Sequence, residues 1–158
     1  MVDLSAIDLN NLIEVDQSQL VLSSSNRAGL GITISKQGLI TFQKLLANDL
    51  GEDLGTIELK IDKTGKVLVI CVSKDSGPIK RQKTKNAFSC KRQLKQLIQA
   101  NGVSEVRNRW IKMFADKNRY EIELEFNSFS FDQDDGMHRK GDVFLIDLLA
   151  GKGNKQRG

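Results

Sequence analysis

The chain has 158 residues, of which 39% are apolar and 28% charged, and its 24 basic and 20 acidic side chains give a net charge of +4. This composition is ordinary for a soluble globular protein, and the length allows one domain, or two small packed units, with a core that needs no disulfides. No apolar run approaches the roughly 18 residues of a membrane span, and the N-terminus lacks the pattern of a signal peptide, so we expect a cytoplasmic protein without a membrane partner.

Residues 1–30 predict an N-terminal arm or edge element. From residue 31 to 73 the pattern indicates a first βαββ-like half, with short strands over 32–34 and 39–42, a helix over 43–50 and a hairpin. The hairpin strands at 56–61 and 66–72 flank the turn 62–65, and Ile57, Leu59 and Ile61 alternate toward one face. Gly51 is placed to end the helix.

Residues 74–86 read as a flexible basic connector that contains the only proline, Pro78. Residues 87–149 then predict a second βαββ-like half: a strand over 87–89, a helix over 90–101 capped by Ser89 and ended by Gly102, and a hairpin that pairs 119–126 with 142–148. Insertions at 103–118 and 127–140 interrupt it, and 150–158 predict a flexible basic tail. The expected fold class is α+β, mainly antiparallel with short helices, in which the two halves could form one barrel-like core.

Catalytic and metal-binding patterns are sparse. The two cysteines, Cys71 and Cys90, are interpreted as small buried apolar residues in a reducing compartment. The single histidine, His138, leaves too few ligands for a zinc site, and nothing around it supports a catalytic triad.

An acidic loop contains Asp132, Asp134 and Asp135 and superficially resembles a calcium loop. It lacks the spaced ligands and the final glutamate of such a loop, which favours an ordinary acidic turn. A metal-dependent nuclease using these carboxylates is the least favoured hypothesis, because no second acidic element is paired with them. We therefore expect no enzyme, no cofactor and no metal.

The main functional signal is a basic segment, residues 80–119, in which twelve basic and two acidic side chains give +10, whereas the rest of the chain carries −6. Separated charge of this kind usually marks a surface that meets a polyanion, and the alternative is a solvated basic face without a partner. The run at 80–85 could follow a phosphate backbone, and the start of the following helix favours phosphates. The candidate nucleic-acid-binding residues in this segment are Lys80, Arg81, Lys83, Lys85, Lys91, Arg92, Lys95, Arg107, Arg109, Trp110 and Lys112.

Aromatic rings lie inside the same segment. Arg107, Arg109 and Lys112 interleave with Trp110 and Phe114. The bases of a single strand stack on such rings, each contributing about 1–3 kcal/mol. A helix that packs on a sheet would present the same apolar residues, so the pattern leaves both interpretations open.

Residues 32–72 combine a strand, a turn with a Lys-x-Gly sequence, a second strand, a short helix ending in Leu-Gly and a hairpin. The positions that carry this pattern are Ser35, Lys36, Gly38, Ile40, Leu45, Leu50 and Gly51, followed by the alternation of Ile57, Leu59 and Ile61 and the turn 62–65. In this stretch, about forty of 158 residues, the chain resembles the AbrB/SpoVT/MazE-type swapped-hairpin family, with residues 87–148 as a degenerate second copy.

The resemblance implies DNA binding and a barrel that the family builds from two chains. Its DNA-contacting role carries over only to Lys36, which joins the candidate residues. The chain departs from the family where Phe42 or Gln43 replaces a usual proline, and where Lys36 and Lys44 stand in place of arginines. Both a homodimer and two halves closing within one chain agree with the resemblance.

Together these features predict a non-enzymatic nucleic-acid-binding protein, a DNA-binding transcriptional regulator or accessory factor of the AbrB-like kind, with DNA preferred over RNA. One alternative is a single-stranded DNA-binding protein that uses Trp110 and Phe114. Another is an interaction protein, such as a phage or plasmid factor, that binds an acidic protein partner. The sequence leaves strandedness, site specificity and oligomeric state open.

Overall fold

A computed structural model describes residues 29–113, 122–124 and 128–154. The strands are β1 (Ile32–Ile34), β2 (Leu39–Phe42), β3 (Thr56–Ile61), β4 (Val67–Ser73), β5 (Ile79–Lys80), β6 (Ala87–Ser89), β7 (Ile111–Met113), β8 (Ile122–Leu124), β9 (Ser128–Phe131), β10 (Met137–Lys140), β11 (Val143–Asp147) and β12 (Lys152–Asn154). The helices are α1 (Lys44–Leu50), α2 (Lys91–Asn101) and α3 (Ser104–Trp110), with a 3-10 turn at Gly51–Asp53. In this part of the chain no helix combines the length and apolarity required to cross a membrane.

Two five-stranded antiparallel sheets form the framework. Sheet A has the order β12-β9-β1-β2-β6, sheet B has the order β10-β11-β4-β3-β5, and β7 and β8 form a separate pair. The predicted α+β class, mainly antiparallel with short helices, is confirmed. The barrel-like core is wrong, because the two sheets do not close on each other and each keeps two outer strands.

Both sheets contain strands from both predicted halves. In sheet A, Ile32 of β1 pairs with Phe131 of β9, and in sheet B, Ile70 of β4 pairs with Phe144 of β11. Residues 31–73 and 87–149 therefore share one hydrophobic core. The N-terminal arm predicted for residues 1–30 lies outside the described residues, except for its last two positions.

The second half does not repeat the first. Its predicted insertions contain α3, β9 and β10, and β11 pairs with β10 instead of residues 119–126. The turn between β10 and β11 is tight, with Gly141 at φ 63°, so the nearest strand in sequence becomes the partner. Within the predicted flexible tail, β12 pairs with β9.

Local predictions in the first half are confirmed. In the hairpin turn, the Asp62 side chain accepts the backbone N–H of Val67 at 3.0 Å, and Gly65 has φ 73°.

The chain also uses the two N–H groups that the family's proline would remove. Phe42 donates to Asn86 O at 2.8 Å and Gln43 donates to Gly31 O at 2.9 Å, so a proline at either position would break a bond between neighbouring segments.

The predicted connector, residues 74–86, contains the short strand β5 of sheet B. Ile79 of β5 pairs with Ile57 of β3. Beyond β5, the Arg81 N–H donates to Gly55 O at 3.0 Å, and the Gln82 N–H donates to Ala87 O at 2.9 Å. The basic run is therefore held against the fold by backbone hydrogen bonds, where the sequence predicted a flexible link.

Candidate nucleic-acid interface

The segment that runs from β5 through the loop 81–86 and β6 into α2 carries the strongest basic charge of the described chain. Residues 76–104 contain seven basic side chains and no acidic one. Six of the seven are exposed and Lys95 is half-buried. None of them forms an ion pair within the described residues. The described ion pair, between Arg139 and Asp49 at 2.7 Å, involves none of these seven residues. The seven, named here the basic edge, are Lys80, Arg81, Lys83, Lys85, Lys91, Arg92 and Lys95.

The fold adds Lys36 to this group. The turn between β1 and β2 lies on the start of α2, where the Cys90 N–H donates to Gly38 O at 2.9 Å. Gly38 has φ +77°, and a Cβ atom built on it would lie 2.5 Å from the Lys91 Cα. This close approach places the exposed Lys36 at the same end of α2 as Lys91 and Arg92.

The first turn of α2 has neither a side-chain cap nor a negative charge. Cys90 is the N-cap residue, and no side chain caps the helix, so the predicted capping by Ser89 is wrong. The first turn has no acidic residue. The unpaired N–H groups of a helix start carry partial positive charge, which adds to the charges of Lys91 and Arg92.

The cysteines take no part in this chemistry. Cys90 is fully buried, its Sγ donates to Phe88 O at 3.4 Å, and burial raises the pKa of its thiol to about 12. Cys71 is half-buried, and burial is the main cause that raises the pKa of its thiol. Neither forms a disulfide in the described chain. Cys90 is thus the small buried residue that the sequence predicted, and Cys71 is only partly so.

One face of α2 points to the core and the other is polar. Leu94 and Ile98 are fully buried. At 3.6 residues per turn, the residues of the polar face span an arc of about 140°. They are, around the helix, Lys91, Lys95, Gln99, Arg92 and Gln96. An open cleft of about 700 Å³ runs along this face.

The glutamines of α2 were not among the predicted residues. Gln96 and Gln99 are exposed, and Gln93 is half-buried on the border of the cleft. Their spacing of three residues, within a helix whose apolar stripe was already recognised, is the signal that could have found them.

Trp110 cannot stack on a base in this structure. It is fully buried, and its indole N–H donates to Leu148 O at 2.7 Å. Its ring packs against Phe129, with centroids 5.1 Å apart, and lies nearly parallel to that of Phe131. The prediction that Trp110 contacts nucleic acid is therefore wrong, and the packing interpretation is confirmed. Phe114, the other ring of that prediction, lies outside the described residues.

The two arginines of α3 contact the protein itself. The Arg109 guanidinium lies 4.0 Å from the centroid of the Phe129 ring and donates to Leu148 O at 3.2 Å. Burial lowers the pKa of Arg109, and the nearby Asp147 and Asp135 partly offset this. Arg107 is exposed but donates to Gly102 O. Lys112 belongs to β7, and its side chain is outside the described part of the structure.

Arg81 also has a partner within the fold. Its guanidinium donates to Leu54 O at 3.2 Å. It lines a second open cleft, of about 720 Å³, together with Glu52 and Lys74. Because this cleft mixes both charges, it suits an anion less well than the cleft along α2.

Two carboxylates of the acidic loop accept hydrogen bonds from backbone N–H groups, one inside the loop and one in the segment that leads to β12. Asp132 Oδ1 accepts the Asp134 N–H at 2.9 Å, and Asp135 Oδ1 accepts the Gly151 N–H at 3.0 Å. Among the residues that the structure describes, no group of three or more potential metal ligands occurs. The interpretation as an acidic turn fits these contacts.

Gly38→Ala is expected to lower the free energy of unfolding by about 2–3 kcal/mol, because alanine is strained at a positive φ and its Cβ would clash with backbone atoms of Lys91. Gly153→Ala is the control, since its Cβ would meet only a Phe129 ring atom at 3.7 Å. Urea titration followed by circular dichroism measures both. Equal midpoints for the two variants would contradict the close packing of the turn on α2.

Comparisons with protein-family models, with curated proteins and with solved structures find no match. The resemblance to the AbrB/SpoVT/MazE-type family therefore stays a prediction that rests on residues 32–72 alone.

Proposed function

We propose that this protein binds nucleic acid through the basic edge and Lys36, without enzymatic activity. The observation that carries the proposal is the acid-free stretch 76–104, whose seven cations lie at the end of β5, in the loop 81–86 and on α2. A polyanion that contacts these cations releases its condensed counterions, which drives binding and makes it depend on salt.

Contacts to phosphates account for this surface better than base stacking does. Trp110 is buried, and Phe88, the only aromatic residue in the stretch 76–104, is fully buried too. The single-stranded alternative therefore loses the one described ring on which it relied. DNA is preferred over RNA, and the finer role of transcriptional regulator or accessory factor rests on the family resemblance, with a homodimer as its expected state.

An acidic protein partner is the second candidate, because the same cations, which form no ion pair within the described residues, would attract it. The two candidates can be distinguished by competition. If the partner is an acidic protein, an acidic polypeptide should displace labelled DNA from this surface as effectively as unlabelled DNA does. The test of the interaction-protein alternative is therefore a competition experiment with an acidic polypeptide.

The test is fluorescence anisotropy with labelled single-stranded and duplex DNA at several salt concentrations. In the variant Lys83/Lys85/Lys91/Arg92→Ala we expect about 100-fold weaker binding at low salt. Because up to four phosphate contacts are lost, the slope of log affinity against log salt should flatten by about 3 to 4.

The matched control removes four exposed lysines elsewhere: Lys44, Lys60, Lys63 and Lys152. It changes the net charge equally and is expected to bind within a few-fold of the unmodified protein. Equal losses in both variants would show that net charge alone, and not the basic edge, attracts DNA. Absence of binding at low salt, or displacement of DNA by polyglutamate at matched charge concentration, would overturn the proposal.

A further inference from the structure

We infer that α2 lies in the major groove of duplex DNA and reads base edges with Gln96 and Gln99. This inference rests on the proposed function and names the ligand of the same surface: duplex DNA, contacted by a helix face that combines cations with amides.

The dimensions of α2 suit a groove. Its 11 residues extend about 16 Å, and the B-DNA major groove, about 12 Å wide, admits an α-helix. The helix is held from behind, because Leu94 and Ile98 are fully buried in the core that joins the two sheets. Its polar face is therefore presented on a rigid support, as base recognition requires.

The chemistry of this face suits base edges as well as phosphates. Lysine and arginine at 91, 92 and 95 can contact phosphates or guanine, whose N7 and O6 accept hydrogen bonds in the major groove. Glutamine both donates and accepts, which matches the N6–H donor and N7 acceptor of adenine. Gln96 and Gln99 are exposed beside Lys95, so a ligand reached by the cations also reaches these amides.

A phosphate contact at the start of α2 would fix the helix in the groove. Lys36 is held there by the packing of Gly38 on Lys91, and the uncapped first turn adds backbone N–H donors. Contacts to the backbone set register and orientation, whereas contacts to base edges carry sequence information. The two kinds of contact are thus separated along one helix, phosphate at its start and bases further on.

The geometry favours duplex DNA over duplex RNA. The major groove of an A-form RNA helix is deep and narrow, and side chains cannot read it. A single strand offers no groove to hold a helix, and the polar face of α2 has no aromatic residue on which a base could stack.

The experiment begins with selection of duplex DNA from a random-sequence pool by the unmodified protein. The selected duplex, a random duplex, a duplex RNA of the selected sequence and the single strand are then compared by anisotropy at one salt concentration. Guanine N7 methylation interference reports contacts in the major groove. The variant Gln96→Ala/Gln99→Ala is compared with Asn48→Ala/Asn108→Ala, which removes two exposed amides from α1 and α3.

The expected result is a preference for the selected duplex that the glutamine variant reduces by about 10- to 100-fold, with affinity for random duplex unchanged and the asparagine variant unaffected. Both glutamine substitutions place a stronger helix former on an exposed face, so the fold is retained, and circular dichroism checks this.

Two outcomes overturn the inference in distinguishable ways. If no sequence is enriched, N7 methylation does not interfere, or the glutamine variant keeps full preference, α2 does not read the groove. The proposed function survives that result provided that Lys83/Lys85/Lys91/Arg92→Ala still weakens binding. If the unmodified protein binds no nucleic acid at all, both proposals fail together.

Discussion

Trp110→Ala is expected to lower the free energy of unfolding by about 3–5 kcal/mol. Trp110 is the largest fully buried side chain of the described chain, and its ring packs against Phe129 and Phe131 of sheet A. Alanine would leave a cavity there and would remove the indole donor to Leu148 O. A loss of this size is a large fraction of the stability of a typical domain, and urea titration followed by circular dichroism measures it.

Trp110→Phe separates packing from function. It keeps an aromatic ring in the site but leaves Leu148 O with the Arg109 guanidinium as its remaining side-chain donor, so a smaller loss, about 1–2 kcal/mol, is expected. DNA affinity should be unchanged, because the ring is fully buried and cannot contact a ligand. A tenfold loss of affinity with retained stability would restore the base-stacking interpretation of Trp110.

Phe42→Ala is expected to cost about 3–5 kcal/mol as well, since Phe42 joins the two sheets. It is fully buried on β2 of sheet A and meets Phe144 of sheet B edge-to-face, with centroids 5.5 Å apart. It makes a similar contact with Phe88 at 5.8 Å.

Thermal unfolding measures the effect, and a chain of this length should lose roughly 10 °C in Tm. Phe42→Leu is the control, because leucine fills much of the volume without the ring contacts and should lose less than half as much. A Tm shift of only a few degrees in Phe42→Ala would mean that the sheets are held together elsewhere.

The sequence predicted those parts of the fold that depend on near neighbours. The β3–β4 hairpin follows from its alternating strands and from a turn in which Asp62 and Gly65 supply the hydrogen bond and the positive φ. Helix α2 follows from its apolar stripe and from Gly102 as its stop.

Pairings between distant strands could not be predicted in the same way. Nothing in the sequence of β11 distinguishes β4 from residues 119–126 as its partner. Strand β4 is apolar on both faces and residues 119–126 alternate, so each offers one apolar face for pairing. The short strand β5 was missed because two residues carry no periodicity, and Pro78 beside it indicates a loop.

The candidate interface shows the same division. The basic charge of residues 80–95 was visible in the sequence, but its position beside β5 and β6, the outer strands of the two sheets, depends on the strand order. The position of Lys36 beside Lys91 depends on a glycine contact that only the folded chain reveals. Trp110 lay between two interpretations, since an amphipathic pattern is the same whether the partner of the ring is a base or another side chain.

The interleaving of the two sheets has a consequence for the nascent chain. Strand β1 gains its second neighbour only when β9 has been made, and β4 gains its second neighbour only with β11. Until then the hairpins that emerge first keep unsatisfied backbone edges, which are the surfaces on which partly folded chains associate. Contacts across such sequence distances also slow the search for the native state. Neither sheet is therefore complete until the strands after residue 127 have been made, and a chain that stops before residue 143 lacks the inner strand β11 of sheet B.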